Sequence, residues 1–453
     1  MKDLTYGTDD LICALATPWA ESALAVIRTT GTGTIKTLSK LFNRPEALFA
    51  SPGQTIVYGQ LKNLSGQALD EVTLGIYRAP RSYTGQESVE IFCHGSLPGI
   101  QRILHALFEV GFRQAGPGEF TLRAFLNRKM DLTRAEAVQE IISAKSEQAQ
   151  NLALHRLSGS LEDRINLIKK KLLDFLSLVN IQLDYAEDDA GDDLPLPLEG
   201  MQEALVRVKQ LSETFKTGQI YQEGVRVILA GRTNAGKSSL FNLFLKEDRS
   251  IVSAEHGTTR DYLENWVSLR GIPVKLFDTA GLRVAENTVE AEGIRRSRGL
   301  LESAHLILYL VDGSEGPEAE DIKFLESWES TGKVIKLWTK GDKSPQHPPG
   351  WKIISALSGL GFTDLEEELY RRILGGAKPL TGEPVIDSLR QKNLLDRTAQ
   401  ALEAVIFSVQ SGLPIDMTAL DLKEAMDALG EITGEVTTAD ILNNMFSNFC
   451  VGK

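Results

Sequence analysis

The sequence is short of cysteine, of long apolar runs and of positive charge. It has three cysteines, Cys13, Cys93 and Cys450, in 453 residues. They are too few and too scattered for a disulfide framework or a zinc site, and they point to a reducing compartment, the cytosol. No apolar run approaches the roughly 18 residues of a membrane span, so a membrane partner is not expected. The start of the chain carries Asp3, Asp9 and Asp10, and its apolar stretch ends at Pro18. A signal peptide needs a basic start and a longer apolar core. Lys and Arg number 49 against 61 Asp and Glu, a net charge of −12. That balance excludes a generally basic protein that coats nucleic acid. It leaves a nucleic-acid substrate open, through a local basic patch. There is no internal repeat and no low-complexity tract.

What is present is a globular composition, 42% hydrophobic and 24% charged, over a length that suggests about three domains. Residues 1–118 read as an α/β or α+β unit. Short apolar runs at Leu24–Ile27, Thr55–Tyr58, Val72–Tyr77 and Val89–Phe92 lie between Gly- and Pro-bearing turns. Ile100–Val110 reads as a helix stopped by Gly111. From Glu119 to residue 185 there is no Pro and a single Gly. Leu161, Ile165, Ile168, Leu172, Phe175 and Val179 recur at spacings of three and four, the pattern of a long amphipathic helix. The stretch AEDDAGDDLPLP then breaks the pattern and reads as a solvated linker.

Residues 224–376 alternate strand and helix signals. Val225–Ala230, Val274–Phe277, Leu306–Val311, Val334–Trp338 and Ile353–Ser355 read as buried strands of a doubly wound sheet. After Pro384 a helical seam resumes at Leu395, Ala399, Leu402, Ile406 and Val409. An α/β domain bracketed by helical halves implies an insertion into one helical domain.

GRTNAGKS, Gly231–Ser238, fits the phosphate loop G-x-x-x-x-G-K-[ST], between a strand and the helical segment Leu240–Leu245. Its glycines let backbone N–H groups point at phosphates, and the helix N-terminus adds positive potential. The expected nucleotide contacts there are Asn234, Ala235, Gly236, Lys237, Ser238 and Ser239. Lys237 reaches the outer phosphates and Ser238 binds Mg2+. GTTR, Gly257–Arg260, offers the Thr259 hydroxyl as a second Mg2+ ligand. DTAG, Asp278 with Thr279, Ala280 and Gly281, ends a strand, so Asp278 can hold the metal's water shell and Gly281 can meet the last phosphate. TKGD brings Thr339, Lys340 and Asp342, and an aspartate there accepts both guanine N1–H and the 2-amino group. Ser355, Ala356 and Leu357 fit the loop that backs the base. The set reads as a GTPase rather than an ATPase.

Two positions depart from the usual GTPase pattern. Thr339 stands where Asn is common, and a hydroxyl lacks the amide's two-sided reach. Leu282 stands where many small GTPases orient water with Gln, so another group must do so. Arg283, Glu286, Glu290 and Glu292 are nearby, and the residues alone do not choose among them.

At this point the chain resembles one family over essentially its whole length: the bacterial and organellar tRNA-modification GTPases MnmE, also called TrmE. PGEFTLRAFLNRKMDLTRAEAV (Pro117–Val138) resembles the start of that family's helical domain, and RSYTGQESVEIFCHG (Arg81–Gly95) its N-terminal domain. FCVGK (Phe449–Lys453) is similar to its Cys-x-Gly-Lys motif.

The resemblance implies an α/β plus α architecture in four segments. These are an N-terminal α+β tetrahydrofolate-binding and dimerisation domain at 1–118, helical halves at 119–223 and 377–453, and an inserted Ras-like G domain at 224–376. It implies a homodimer working with the FAD-dependent partner MnmG (GidA), as a heterotetramer, on the wobble uridine of certain tRNAs. A carboxymethylaminomethyl or aminomethyl group is added at C5, with a tetrahydrofolate derivative as one-carbon source. It assigns Arg28, Glu90, Lys129 and Lys453 to the folate and Cys450 to the modification. It assigns Asn234 of the P-loop to K+, together with Ser253, Glu255 and Thr258 of a loop that covers the nucleotide and also includes Ala254, His256 and Gly257. Among the four candidates for orienting water, it selects Glu290.

Two other readings compete. A ribosome-assembly-type GTPase, acting as a nucleotide-gated binding protein, is expected to carry a basic RNA-binding domain, which the acidic balance does not favour. A scaffold with a degenerate nucleotide site does not fit intact Lys237, Ser238, Thr259 and Asp278. Lys169–Lys171 and the trio Arg295, Arg296 and Arg298 are basic clusters for which a solvated helix face is the plain expectation.

Overall fold

The structure, a computed structural model, describes residues 7–185, 196–247, 263–278, 299–344, 346–377 and 382–453. The chain divides into two compact units. One comprises Met1–Gln139, Leu157–Ile165 and Met426–Lys453; the other comprises Glu140–Arg156 and Asn166–Ala425. Among the described residues, no helix is long and apolar enough to cross a membrane.

The first unit holds six strands: β1 (Ile12–Leu15), β2 (Ser22–Thr30), β3 (Thr55–Lys62), β4 (Ala68–Tyr77), β5 (Ser88–Gly95) and β6 (Arg113–Gln114). They form one sheet in the order β3-β4-β5-β2-β1-β6. It is antiparallel except where β6 runs parallel to β1. Alternation gives its two faces different jobs. Cys13, Ala25, Ile27, Leu74, Ile91 and Cys93 pack into a core with Ile100, Ile103 and Leu107. The last three lie on the helix Leu97–Glu109, whose N-terminus is capped by the Ser96 hydroxyl accepting from Gly99 N–H. The other face carries a row across four strands, Gly75, Glu90, Arg28 and Ala14, in direct cross-strand register.

Residues 119–185 form four helices: Glu119–Leu126, Leu132–Ser143, Glu147–Leu157 and Ser160–Tyr185. All six apolar positions of the expected seam, Leu161 to Val179, are buried. The linker expected at 186–197 lies outside the described residues apart from Leu196 and Pro197.

The second unit holds the doubly wound sheet: β7 (Val225–Gly231), β8 (Leu263–Leu269), β9 (Ile272–Asp278), β10 (Leu306–Asp312), β11 (Val334–Thr339) and β12 (Lys352–Ile353). The order is β12-β11-β10-β7-β9-β8, parallel except for β8. Apolar residues are buried on both faces, as a parallel sheet covered by helices requires. The strand expected at Ile353–Ser355 is two residues long and stops at Ile353. In the helix Leu389–Gln410 the seam holds at Leu395, Ala399 and Leu402. Its last buried positions are Val405 and Ser408 rather than Ile406 and Val409. A 3.6-residue turn drifts from a strict three-four alternation, which accounts for the shift.

The fold is thus an N-terminal α+β domain, a helical part and a P-loop α/β domain inserted within it. A buried ionic network anchors the first unit. Arg123 and Glu119 are 1% and 0% exposed and pair at 2.8 Å. Arg123 also donates to Asp10 Oδ1 at 2.6 Å, and Arg113 reaches Glu119 at 2.6 Å. Removing one member leaves a buried charge short of its partner. Glu119→Leu is expected to destabilise this unit by about 3 kcal/mol, read as a lower urea midpoint for its unfolding. An unchanged midpoint would show that the network is dispensable.

Candidate functional site

The nucleotide-type residues gather at the carboxyl ends of parallel strands, where α/β sheets bind ligands. β7 ends at Gly231, whose φ of 137° and tight fit both demand glycine. A Cβ there would lie 2.3 Å from Leu310 O on β10. The loop turns through Asn234, with φ 62°, and leads into the helix Lys237–Glu247. Lys237 is 7% exposed, and its Nζ donates to Gly231 O at 2.8 Å and Arg232 O at 2.6 Å. Ser238 donates to Asp278 Oδ2 at 2.8 Å, so the P-loop hydroxyl and the end of β9 converge. That pair of hard oxygen donors fits Mg2+. Ala235 is buried, Gly236 half-buried, and Asn234 and Ser239 exposed.

At the end of β11, the buried Thr339 hydroxyl lies 2.9 Å from Ala235 O and 3.0 Å from Val311 O. Lys340, with φ 55°, pairs with Asp312 at the end of β10. Burial alone would raise the Asp312 carboxyl's pKa, but bonds from Lys340 and Ser314 outweigh it and the net direction is down. Asp342 projects into solvent, and a hydrogen bond from the Ser355 hydroxyl, the largest cause, holds its carboxyl below the usual range. Ser355 is buried, Ala356 half-buried and Leu357 exposed. Ser253, Ala254, Glu255, His256, Gly257, Thr258, Thr259, Thr279, Ala280, Gly281 and Glu290 lie outside the described residues, as do Arg295, Arg296 and Arg298. Lys171 is engaged by Glu203.

The second site lies in the other unit, on the row Gly75–Glu90–Arg28–Ala14. Arg28 and Glu90 pair at 2.9 Å. The guanidinium also stands over the rings of Tyr83 and Phe120, at 5.5 and 5.7 Å, and its Nη1 donates to Gly452 O at 3.2 Å. The segment Cys450–Lys453 is bound through its backbone. Gly118 N–H donates to Cys450 O at 3.3 Å, Phe120 N–H donates to Lys453 O at 3.2 Å, and Val451 bridges Pro117. Gly452 has φ 94°, and a Cβ would lie 2.7 Å from Leu15 O, so the motif's glycine is a steric requirement. Lys453 is half-buried within electrostatic range of Arg28, Glu90 and Cys450. Burial, then Arg28, push its amine's pKa down. Cys450 is exposed.

Of the four expected folate residues, Arg28, Glu90 and Lys453 are thus brought together. Lys129 is exposed and donates to Pro80 O at 3.0 Å. Tyr77, whose hydroxyl lies 3.4 Å from Glu90 Oε2, and Phe120 were not singled out by sequence reasoning. Tyr83 sits inside the RSYTG motif, and Phe120 inside PGEF, which was the available signal. A groove of about 390 Å³ lined by Leu15, Trp19, His105, Phe108 and Val451 contains none of these charged groups.

Truncating Arg28 tests how the tail is held. In Arg28→Ala, the Gly118 and Phe120 amide hydrogens are expected to exchange about tenfold faster, because a charge-assisted bond to Gly452 O is lost. Unchanged protection would show that the backbone bonds hold the tail unaided.

Comparison with known proteins gives a consistent result. A family model described as the MnmE helical domain matches residues 132–450. Another, the GTP-binding protein TrmE N-terminus, matches 11–129. The tRNA modification GTPase MnmE of Borrelia recurrentis (strain A1) is 43% identical, over 100% of both chains. Its counterpart in Treponema denticola is 39% identical over 99% of both. That of Carboxydothermus hydrogenoformans is 36% identical over 98% of this chain and 100% of its own.

Proposed function

The chain belongs to the MnmE (TrmE) family of tRNA modification GTPases, and from that premise we propose that it hydrolyses GTP in the service of tRNA wobble-uridine modification. The observation that carries this reading is the gathering of Lys237, Ser238, Asp278, Asp342 and Ser355 along the carboxyl ends of the strands of one sheet. The P-loop amides and Lys237 bind the phosphates, and Asp342 takes the guanine N1–H and 2-amino group. Ser238 and Thr259 would hold Mg2+, and Asp278, which accepts from the Ser238 hydroxyl, would hold the metal's water shell. When bound, Mg2+ offsets phosphate charge. Asn234, with Ser253, Glu255 and Thr258, holds K+, and Glu290 orients the attacking water. The other contacts are those named above: Ala235, Gly236, Ser239, Ala254, His256, Gly257, Thr279, Ala280, Gly281, Lys340, Ala356 and Leu357, with Thr339 behind them at Ala235 O.

The second centre binds a tetrahydrofolate derivative. Its chemistry suits the residues: a pterin edge offers donors to Glu90, and a glutamate tail is matched by Arg28, Lys453 and Lys129. When bound, the folate supplies a one-carbon unit. Working as a homodimer with the FAD-dependent MnmG (GidA), the protein adds a carboxymethylaminomethyl or aminomethyl group at C5 of the wobble uridine. Cys450 serves this chemistry. The functional domains run 1–118, 119–223, 224–376 and 377–453, and the working compartment is the cytoplasm.

Two experiments test the reading. In the first, hydrolysis is faster in KCl than in NaCl at equal ionic strength, and Asn234→Ala removes the difference. Glu290→Ala lowers turnover to less than about a tenth while GTP affinity stays within a few-fold, because the group acts in the transition state. Equal rates in both salts would remove K+, and near-normal turnover would remove Glu290. In the second, nucleoside analysis of bulk tRNA from cells lacking the gene shows the modified wobble uridine missing. Wild-type protein restores it. Cys450→Ser does not, although its GTP hydrolysis is normal. Restoration by Cys450→Ser would take the thiol out of the chemistry.

A further inference from the structure

The two ends of the Thr339–Asp342 turn do different work. Thr339 is 5% exposed. Its hydroxyl sits between two backbone carbonyls, Ala235 O of the P-loop at 2.9 Å and Val311 O of β10 at 3.0 Å. Its own carbonyl accepts from Gly313 N–H at 2.9 Å. The side chain lies against the P-loop glycine: a Cβ on Gly236 would be 3.7 Å from Thr339 Oγ1. A hydroxyl has one proton to donate. Here two carbonyls already share it, and none is left for a third acceptor. The chain then turns at Lys340, with φ 55°, and carries Asp342 outward, where Ser355 holds its carboxylate.

Guanine presents donors, N1–H and the 2-amino group, on one edge and an acceptor, N7, on the far edge. A carboxylate only accepts, so Asp342 can read the donor edge alone. A planar base held there turns its N7 edge toward the start of the turn and the P-loop, where Thr339 stands. An asparagine at that position has two N–H groups, one for the brace and one for the base. Threonine has spent its only proton on the brace.

Resting on the GTP reading above, we propose that Thr339 is a positioning residue for the P-loop and leaves guanine N7 unread, so that this chain recognises the base through its N1–H and 2-amino edge alone. It therefore accepts 7-deazaguanosine nucleotides as well as guanosine nucleotides.

The test is displacement of N-methylanthraniloyl-GDP from the full-length protein by GDP, 7-deaza-GDP and IDP. In the wild type, GDP and 7-deaza-GDP displace the probe within about twofold of each other. IDP, which lacks the 2-amino group, is weaker by about tenfold or more, the loss expected for one bond to a charged acceptor. Thr339→Asn gains a preference for GDP over 7-deaza-GDP of about threefold or more. Thr339→Val weakens both equally, because it loosens the P-loop and not the base contact. A wild-type preference for GDP over 7-deaza-GDP of fivefold or more, with IDP still weak, overturns the proposal and leaves the GTP reading standing. So does a Thr339→Asn variant that shows the wild-type ratio. Equal displacement by GDP, IDP and ADP overturns the GTP reading and the proposal with it. The wild-type comparison needs no variant, so it decides even where a substitution fails to fold.

Discussion

Backbone carbonyls that need donors set the terms in both candidate sites. Where strands end and loops begin, carbonyl groups lose their ladder partners and must be satisfied by something else. In the P-loop unit, the Lys237 amine takes Gly231 O and Arg232 O, and the Thr339 hydroxyl takes Ala235 O and Val311 O. In the N-terminal unit, Arg28 takes Gly452 O and Lys129 takes Pro80 O. Four side chains assigned to ligands are thus also the groups that hold loop backbones in place. Lysine and arginine have donors to spare for a ligand. Threonine has none, which is why the same structural duty has a different consequence at position 339.

The two sites reach their geometry by different routes. In the P-loop unit the parallel register does the work. Gly231 on β7, Asp278 on β9 and Thr339 on β11 all end their strands, and the absence of a Cβ at Gly231 lets β7 approach β10. In the N-terminal unit antiparallel pairing sets Arg28 opposite Glu90 on one face while Ile27 and Ile91 enter the core on the other. A one-residue slip of β2 would exchange those faces. The same apolar burial that fixes the register therefore fixes the ion pair.

Local chemistry made some of this legible and hid the rest. The apolar strands within β2 to β5, β7, β9, β10 and β11 could be read from the sequence because Val, Ile, Leu and Phe cluster between turn residues. β1 and β6 could not, being short. β8 could not either: LENWVSL is only weakly apolar and is held as a strand by pairing with β9 across the Arg270–Gly271 turn. The helical run after Glu119 breaks without proline, as at Gly159 with φ 101°, so one continuous pattern concealed four helices. The P-loop was legible because its residues are consecutive. The Arg28–Glu90 pair, 62 residues apart, was visible only as a resemblance, because no spacing rule reports a cross-strand contact.

The tail brings these constraints together. Cys450 O accepts from Gly118 and Lys453 N–H, Gly452 O from Arg28, and Lys453 O from Phe120 N–H. Val451 bridges Pro117, and Gly452 fills a space with no room for a side chain. The bonds that seat the segment run through its backbone, and the glycine's φ of 94° lets the chain turn there. That leaves the Cys450 thiol exposed and the Lys453 amine half-buried beside Arg28 and Glu90. An amine in that setting loses its proton more readily than a free lysine, because burial and the neighbouring guanidinium both oppose its charge. A tail fixed by its carbonyls can place a thiol and an amine at one edge of a charged face without using either as an anchor. A Cys-x-Gly-Lys motif can therefore be structurally demanding at its glycine and chemically open at its cysteine and lysine.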